Sequence, residues 1–225
     1  MAEAPYEAPD RRPLTSRGFA VFQALATTLV RRGVSPNVIS TCSIAFAMVA
    51  AGALLGTLSC DAAFERGLWL VAAGGIQLRL VANLLDGMVA VESGQASPLG
   101  ELFNEIPDRI SDITVLVALG FVSGSHVHLG YSAALLSVFV AYVRAMGGLA
   151  GAGQVFSGLM GKPHRMFIVT VLCLFQGFAP ASWQVALLPH DIAAPGFALG
   201  VICLGCLVTA FGRLSQIADK LSATQ

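Results

Sequence analysis

Acidic and amide side chains recur at spacings of three and four residues in two neighbouring stretches of this sequence. Asn83 and Asp86 lie in the first stretch, and Asn104, Asp108 and Asp112 lie in the second. Residues three or four apart share one face of an α-helix, so each stretch would line one helical face with oxygen atoms. Such hard oxygen ligands suit Mg²⁺, Mn²⁺ or Ca²⁺, and a divalent ion in a cleft of this kind usually means phosphate chemistry. Taken alone, the same acidic cluster is also compatible with a proton or ion pathway.

The remainder of the chain is strongly apolar. Of 225 residues, 56% are hydrophobic and only 12% are charged. A soluble domain carries roughly twice that charged fraction, so the composition predicts a membrane-embedded protein. The formal net charge of +0 supplies no basic field to neutralise phosphates, and nucleic acid is therefore not an expected partner.

The elements that must position the polar residues follow from hydropathy. About six apolar stretches of roughly 20 residues are each long enough to cross a bilayer of ~30 Å. The expected fold class is therefore all-α, a polytopic membrane protein with about six transmembrane helices. An interfacial amphipathic helix is expected within residues 14–34, after a flexible tail over residues 1–13. The predicted spans lie near residues 38–58, 67–91, 98–122, 127–149, 165–188 and 195–215.

The distribution of Lys and Arg predicts the orientation. With six spans, Arg66 lies alone on one side, and the other basic loop residues lie on the opposite side. Because cytoplasmic loops carry the excess of basic residues, both termini and the polar cleft are expected to be cytoplasmic, most simply in a bacterial inner membrane. The basic residues on that side are Arg11, Arg12, Arg17, Arg31, Arg32, Lys162, Arg165, Arg213 and Lys220.

The second and third predicted spans carry charges that lipid excludes, at a cost of about 2.5–3.5 kcal/mol each at mid-bilayer. These side chains must therefore face each other, water or a metal. The short loop Glu92–Ser97 predicts a helical hairpin that brings Asn83 and Asp86 to the same level as Asn104 and Asp108. An ion pathway would need polar residues up to the far surface, and the outer halves of these spans are almost wholly apolar.

These residues also form a known motif. The run Asn83-Leu-Leu-Asp86-Gly87-Met-Val-Ala90-Val91, followed after eight residues by Gly100, Asn104 and Asp108, resembles the CDP-alcohol phosphotransferase signature DxxDGxxAR(x)8GxxxDxxxD. Asp86, Gly87, Ala90, Gly100 and Asp108 match it. The chain resembles a variant of that family with Asn at two metal-ligand positions, 83 and 104, and Val91 in place of an arginine. Residues 35–225 would form the family's transmembrane domain.

The resemblance implies an enzyme of phospholipid biosynthesis. Family enzymes transfer a substituted phosphate from a CDP-linked donor, usually CDP-diacylglycerol, to an alcohol and release CMP. It further implies a divalent cation, Mg²⁺ or Mn²⁺, as cofactor, membrane lipids as surroundings, a small and possibly phosphorylated alcohol as acceptor, and a homodimer.

The resemblance also implies roles for individual residues. Asp108 would be the general base on the acceptor hydroxyl and a metal ligand. Gly87, Ala90 and Gly100 would lie against the donor. Two hypotheses address the departures: Arg79 would supply the positive charge missing at Val91, and Asp112 would restore an acid. The metal set would be Asn83, Asp86, Asn104, Asp108 and Asp112, and the acceptor set would be Arg144, Lys162 and Arg165.

Two alternatives remain open from the sequence. Each Asn removes one negative charge, so a two-ion site would bind its cations less tightly and one ion is an alternative number. The chain could also be a catalytically impaired family member, acting as a metal-binding membrane scaffold or an ion pathway. For Lys162 and Arg165, attraction to anionic lipid is an equal alternative to acceptor binding.

Overall fold

A computed structural model describes residues 19–95, 97–183 and 192–223. These residues form helices and confirm the predicted all-α class. The predicted tail over residues 1–13 and the start of the predicted interfacial helix, up to residue 18, lie outside the described residues. The seven α-helices described are α1 (Ala20–Arg31), α2 (Pro36–Gly56), α3 (Ala62–Glu92), α4 (Pro98–Phe121), α5 (Val127–Leu149), α6 (Lys162–Phe178) and α7 (Ala194–Ser222).

Local sequence signals explain where the helices begin and end. The carboxylate of Asp61 accepts a hydrogen bond from the Phe64 amide at 3.0 Å, which caps the start of α3. Helix α6 ends at Phe178, ten residues before the end of the span predicted at 165–188. The predicted limit was wrong because Ala179 precedes Pro180, and a residue before proline is pushed out of the helical conformation.

Four helical segments are long and apolar enough to cross a membrane: Pro36–Ser59, Ala62–Glu92, Val127–Leu149 and Ala194–Ser222. The chain is therefore described as an integral membrane protein. Helix α4 carries the acidic residues of the motif, and α6 has only 17 residues. For these two helices, membrane crossing stays a prediction.

The chain divides into two compact units. The first consists of Met1–Phe46 with Gln77–Ser111, and the second of Ala47–Ile76 with Asp112–Gln225. In the first unit, α1 packs on α2 and α3 through an apolar cluster, while Val21 and Leu25 of α1 and the preceding Phe19 are exposed. The buried members of the cluster are Ala26, Ile39, Ala82, Leu85 and Val89.

In the second unit, α5 packs along α7, and the start of α5 also touches the end of α4. That contact requires glycine on both helices. A Cβ added at Gly120 would lie 2.8 Å from the Gly130 Cα, and one added at Gly130 would lie 2.7 Å from the Gly120 Cα. Small residues allow membrane helices to approach this closely.

Replacing Gly120 with Ala should therefore destabilise the protein by about 1–3 kcal/mol, because the added methyl group meets backbone that cannot move aside. The measurement is the thermal unfolding midpoint of the purified protein in detergent. Gly200→Ala is the matched control, since Gly200 lies in α7 with nothing within 4 Å of its added Cβ. Equal midpoints for the two variants would contradict the tight crossing.

Candidate active site

The site is built where α3 ends and α4 begins, within the first unit. Gly94 has a φ of +67°, a left-handed conformation that favours glycine, and the Gln95 amide donates back to the Ala90 carbonyl at 2.9 Å. The Ser97 hydroxyl accepts from the Gly100 amide at 3.1 Å at the start of α4. This short reversal sets the last turns of α3 beside the first turns of α4, as the hairpin prediction required.

Two amide–carboxylate pairs join α3 to α4. Asn83 Nδ2 donates to Asp108 Oδ1, and Asn104 Nδ2 donates to Asp86 Oδ1 at 3.0 Å. Each helix thus contributes one Asn and one Asp, and the pairs cross from helix to helix in antiparallel order. The structure brings together these four side chains, which the sequence predicted to share a cleft.

Asp86 also accepts a hydrogen bond from a hydroxyl group that the sequence did not predict. Ser40 Oγ on α2 donates to Asp86 Oδ2 at 2.6 Å. Asp86 is only 2% exposed, and Ser40 is buried as well. The one sequence signal was a serine one turn into an apolar helix, which is too common to predict a role. Both carboxylate oxygens of Asp86 are therefore held by hydrogen bonds.

Positive charge lies next to Asp108. Arg79 Nη2 is 3.6 Å from Asp108 Oδ1 and donates to the Asp108 main-chain carbonyl at 3.3 Å. Asp108 is 4% exposed and Arg79 is 0% exposed, so this guanidinium is buried against the carboxylate. The structure thus places Arg79, predicted to bind the donor, in contact with the predicted base.

A second guanidinium near Asp108 was not predicted. Arg109 Nη2 lies 4.0 Å from Asp108 Oδ2 and 2.9 Å from Glu105 Oε2, and its side chain is 22% exposed. Adjacency to Asp108 in the sequence was the available signal. Glu105 partly neutralises this group, so its effect on Asp108 is weaker than that of the buried Arg79.

The small residues of the motif line the same part of the hairpin. Gly87 and Ala90 are half-buried on α3, and Gly100 is half-buried in the first turn of α4. A Cβ at Gly100 would lie 3.3 Å from Ser97 Oγ, so a larger residue would press on the group that caps α4. Val91, which replaces the arginine of the signature, is 55% exposed.

Asp112 belongs to a different set of contacts, in the second unit. Its Oδ2 lies 2.7 Å from Arg165 Nη2, and both side chains are buried. Arg165 Nη1 also donates to the Met160 carbonyl at 2.8 Å. Asp112 was predicted as a metal ligand and Arg165 as an acceptor ligand; the structure pairs them with each other.

The other two predicted acceptor residues, Arg144 and Lys162, flank residues 150–161 in the sequence and belong to the second unit. The Arg144 guanidinium stacks over the Phe156 ring, with Cζ 5.3 Å from the ring centroid, and Lys162 is the first residue of α6. Arg213, which served only as an orientation marker in the sequence, donates to the carbonyls of Ser157 and Val140, each at 2.9 Å. The sequence feature that could have predicted a buried role for Arg213 was its position inside an otherwise apolar span.

The oxygen ligands of the hairpin suit a divalent cation, although this chain has two carboxylates where the family signature has four. Across the described ranges, no three His, Cys, Asp or Glu side chains are placed to share one metal ion. The hairpin instead offers two carboxylates, from Asp86 and Asp108, and two amide groups, from Asn83 and Asn104. These oxygens are hard ligands of the kind that Mg²⁺ and Mn²⁺ take, so the residues fit a cation bound by carboxylate and amide oxygens together.

Curated relatives cover most of this chain. It is 26% identical over 209 residues to a phosphatidylinositol phosphate synthase of Streptomyces avermitilis, covering 88% of this chain and 78% of the relative. It is 26% identical over 207 residues to the enzyme of the same name from Mycobacteroides abscessus, covering 88% and 84%. An archaetidylinositol phosphate synthase of Pyrococcus horikoshii is 24% identical over 168 residues, covering 74% and 83%.

Solved structures share the fold. Phosphatidylinositol phosphate synthase of Mycobacterium tuberculosis with CDP-DAG bound superposes with a TM-score of 0.69 at 18% identity, covering 88% of this chain and 94% of that one. The same enzyme in complex with manganese and citrate gives a TM-score of 0.68 at 18% identity, covering 87% and 88%. The CDP-alcohol phosphatidyltransferase family model matches residues 33–210, which confirms the family indicated by the residue pattern. The chain belongs to the CDP-alcohol phosphatidyltransferase family.

Proposed function

We propose that this enzyme transfers a phosphatidyl group from CDP-diacylglycerol to a phosphorylated alcohol and releases CMP. The observation that carries the proposal is the hydrogen-bonded frame of α3 and α4, which holds Asp86 and Asp108 close together at the spacing of the family signature. The bound CDP-DAG in the Mycobacterium tuberculosis structure supports the choice of donor, because both proteins share the family fold.

Asp108 is the general base in this proposal. Its carboxylate takes the proton of the acceptor hydroxyl as that oxygen attacks the phosphorus of the phosphatidyl group, and the bond from phosphorus to the CMP oxygen breaks. Arg79 fixes the position of Asp108 through its contacts with the carboxylate and the main-chain carbonyl. The Asn83 amide holds the carboxylate from the facing helix.

A divalent cation would be held by Asp86 and Asp108 with the amide oxygens of Asn83 and Asn104. When bound, it supplies positive charge that stabilises the diphosphate and the leaving CMP. The manganese in the Mycobacterium tuberculosis structure supports this cofactor. The buried hydrogen bond from Ser40 to Asp86 keeps that carboxylate in a fixed orientation.

The acceptor is proposed to carry a phosphate group of its own. Two of the relatives described above are named phosphatidylinositol phosphate synthase and archaetidylinositol phosphate synthase. Products of this kind form when the acceptor is a phosphorylated inositol. In this chain, Arg144 and Lys162 are the proposed phosphate ligands, since both are only partly buried. Inositol phosphate should then stimulate CMP release more than unphosphorylated inositol does.

The activity test is CMP release from CDP-diacylglycerol by the purified protein with Mg²⁺ or Mn²⁺ and a series of phosphorylated polyols. Asp108→Asn should lower the rate by about 10²–10⁴-fold, because the base is lost while the shape is kept, and chelation by EDTA should abolish release. Asp219→Asn is the matched control, at an exposed position near the end of α7. Absence of release with every acceptor and cation would favour a catalytically impaired membrane scaffold.

We further propose that Asp112 and Arg165 act together as a structural pair. A buried ion pair that loses one partner leaves an uncompensated charge, so Asp112→Asn should cost about 3–5 kcal/mol of stability. The apolar double variant Asp112→Leu with Arg165→Met should recover most of that loss. The measurement is the thermal unfolding midpoint of the wild type and of these two variants. If Asp112→Asn instead leaves stability unchanged and weakens Mn²⁺ binding, Asp112 is a metal ligand, as the sequence first suggested.

Cytoplasmic termini and a cytoplasmic active site complete the proposal, and Cys60 can test this orientation. This residue lies between α2 and α3, on the side opposite the termini if α2 crosses the membrane. Partial burial raises the pKa of the Cys60 thiol above its ordinary value, and the carboxylates of Glu65 and Asp61 raise it further.

A membrane-impermeant maleimide should label Cys60 from the non-cytoplasmic side of sealed vesicles and not from the other side. Because the thiolate reacts and the raised pKa keeps it scarce at pH 7, the labelling rate should rise about tenfold between pH 7 and pH 8. Cys60→Ser removes the signal and serves as the control. Labelling from the cytoplasmic side alone would reverse the proposed orientation.

A further inference from the structure

The charge balance of the α3–α4 hairpin differs from that of a site made only of carboxylates. In the first unit, Asp86 and Asp108 supply two negative charges, and Arg79 brings one positive charge to 3.6 Å from Asp108. Arg109 and Glu105 form an ion pair, with 2.9 Å between Nη2 and Oε2, so together they add no net charge. Among the side chains that the structure describes in this hairpin, those that would surround a cation therefore carry a net charge of about −1.

That balance limits how many cations can bind. In paired-metal sites for phosphate chemistry the ions lie about 3.5–4 Å apart, and two divalent ions repel each other about four times as strongly as two unit charges do. A net charge of −1 can offset one divalent ion in part, but a second ion would leave a large positive excess in a buried place. Asn83 and Asn104 are neutral and cannot supply the missing charge.

We propose that this site binds one divalent cation and that the buried Arg79 guanidinium supplies, beside Asp108, the positive charge that a second cation would otherwise bring. Arg79 is thus a positioning residue for Asp108, and it also sets the metal stoichiometry. The inference rests on the proposed function, because it concerns the same carboxylates.

The geometry fits this role. Arg79 is 0% exposed, so its charge is not screened by water, and its two contacts to Asp108 fix it on both the carboxylate and the main chain. An exposed lysine or arginine would be worth much less at the same distance. Asn83 donates to the same carboxylate, so an Asp at position 83 would add a negative charge beside Asp108.

The test is the number of Mn²⁺ ions bound per chain, measured by electron paramagnetic resonance on the purified full-length protein in nanodiscs. The wild type should bind one. Two double variants then change the charge with matched substitutions. Arg79→Lys with Asn83→Asp gives a net charge of −2 and should still bind one ion, whereas Arg79→Met with Asn83→Asp gives −3 and should bind two.

Asn83→Asp with Asn104→Asp, which keeps Arg79 and also gives a net charge of −3, should bind two ions as well, with the first bound at least about tenfold more tightly than in the wild type. Two ions of similar affinity in the wild type, or equal stoichiometry in the Lys and Met variants, would overturn the inference. The wild-type measurement does not depend on whether any variant folds.

CMP release measured on the same samples separates the two proposals. If the wild type releases CMP and binds two ions, the single-cation inference fails and the proposed function stands. If it binds one ion but releases no CMP from any donor and acceptor pair, the proposed function fails while the stoichiometry inference stands.

Discussion

A charged side chain on an apolar helix must have a partner, because the surroundings cannot solvate it. In this protein that requirement decides which helices touch and in which register. Asp86 and Asp108 are each held by an Asn of the facing helix, and Asp112 is held by Arg165. Because these groups are buried, moving either helix by one turn would leave several polar groups without partners at a cost of about 1–3 kcal/mol each.

The two asparagines change what kind of site this is. Four carboxylates facing one another would repel strongly and would need cations to keep the helices together. Two carboxylates and two amides form hydrogen bonds directly, so the packing of α3 on α4 does not depend on a bound ion. The replacement of two aspartates by Asn83 and Asn104 also lowers the attraction of the site for cations, and the buried Arg79 lowers it further. The site thus combines a stable frame with a modest negative charge.

The sequence predicted the features that depend on local spacing. The three- and four-residue intervals placed Asn83 and Asp86 on one face and Asn104 and Asp108 on another, and the short loop Glu92–Ser97 predicted that these faces meet. It did not predict partners that come from elsewhere in the chain. Ser40 reaches Asp86 from α2, across 46 residues, and Arg165 reaches Asp112 across 53 residues. Nothing in the spacing of either residue indicates its partner, because that choice is made by tertiary packing. The end of α6 was missed for a local reason, since Pro180 outweighs the apolar run around it.

The length of α3 has a consequence for where the lipid substrate must lie. Glu65 lies in its first turn and Arg66 follows directly, and Asp86 comes 20 residues after Arg66 in the same helix. At 1.5 Å per residue, Asp86 is about 30 Å along the axis from that end, which is close to the full thickness of the hydrocarbon layer. An upright α3 therefore carries the Asp86 carboxylate to the level of the lipid headgroups. A donor such as CDP-diacylglycerol would keep its acyl chains among those of its neighbours throughout the reaction, while the acceptor would enter from water and CMP would leave to it.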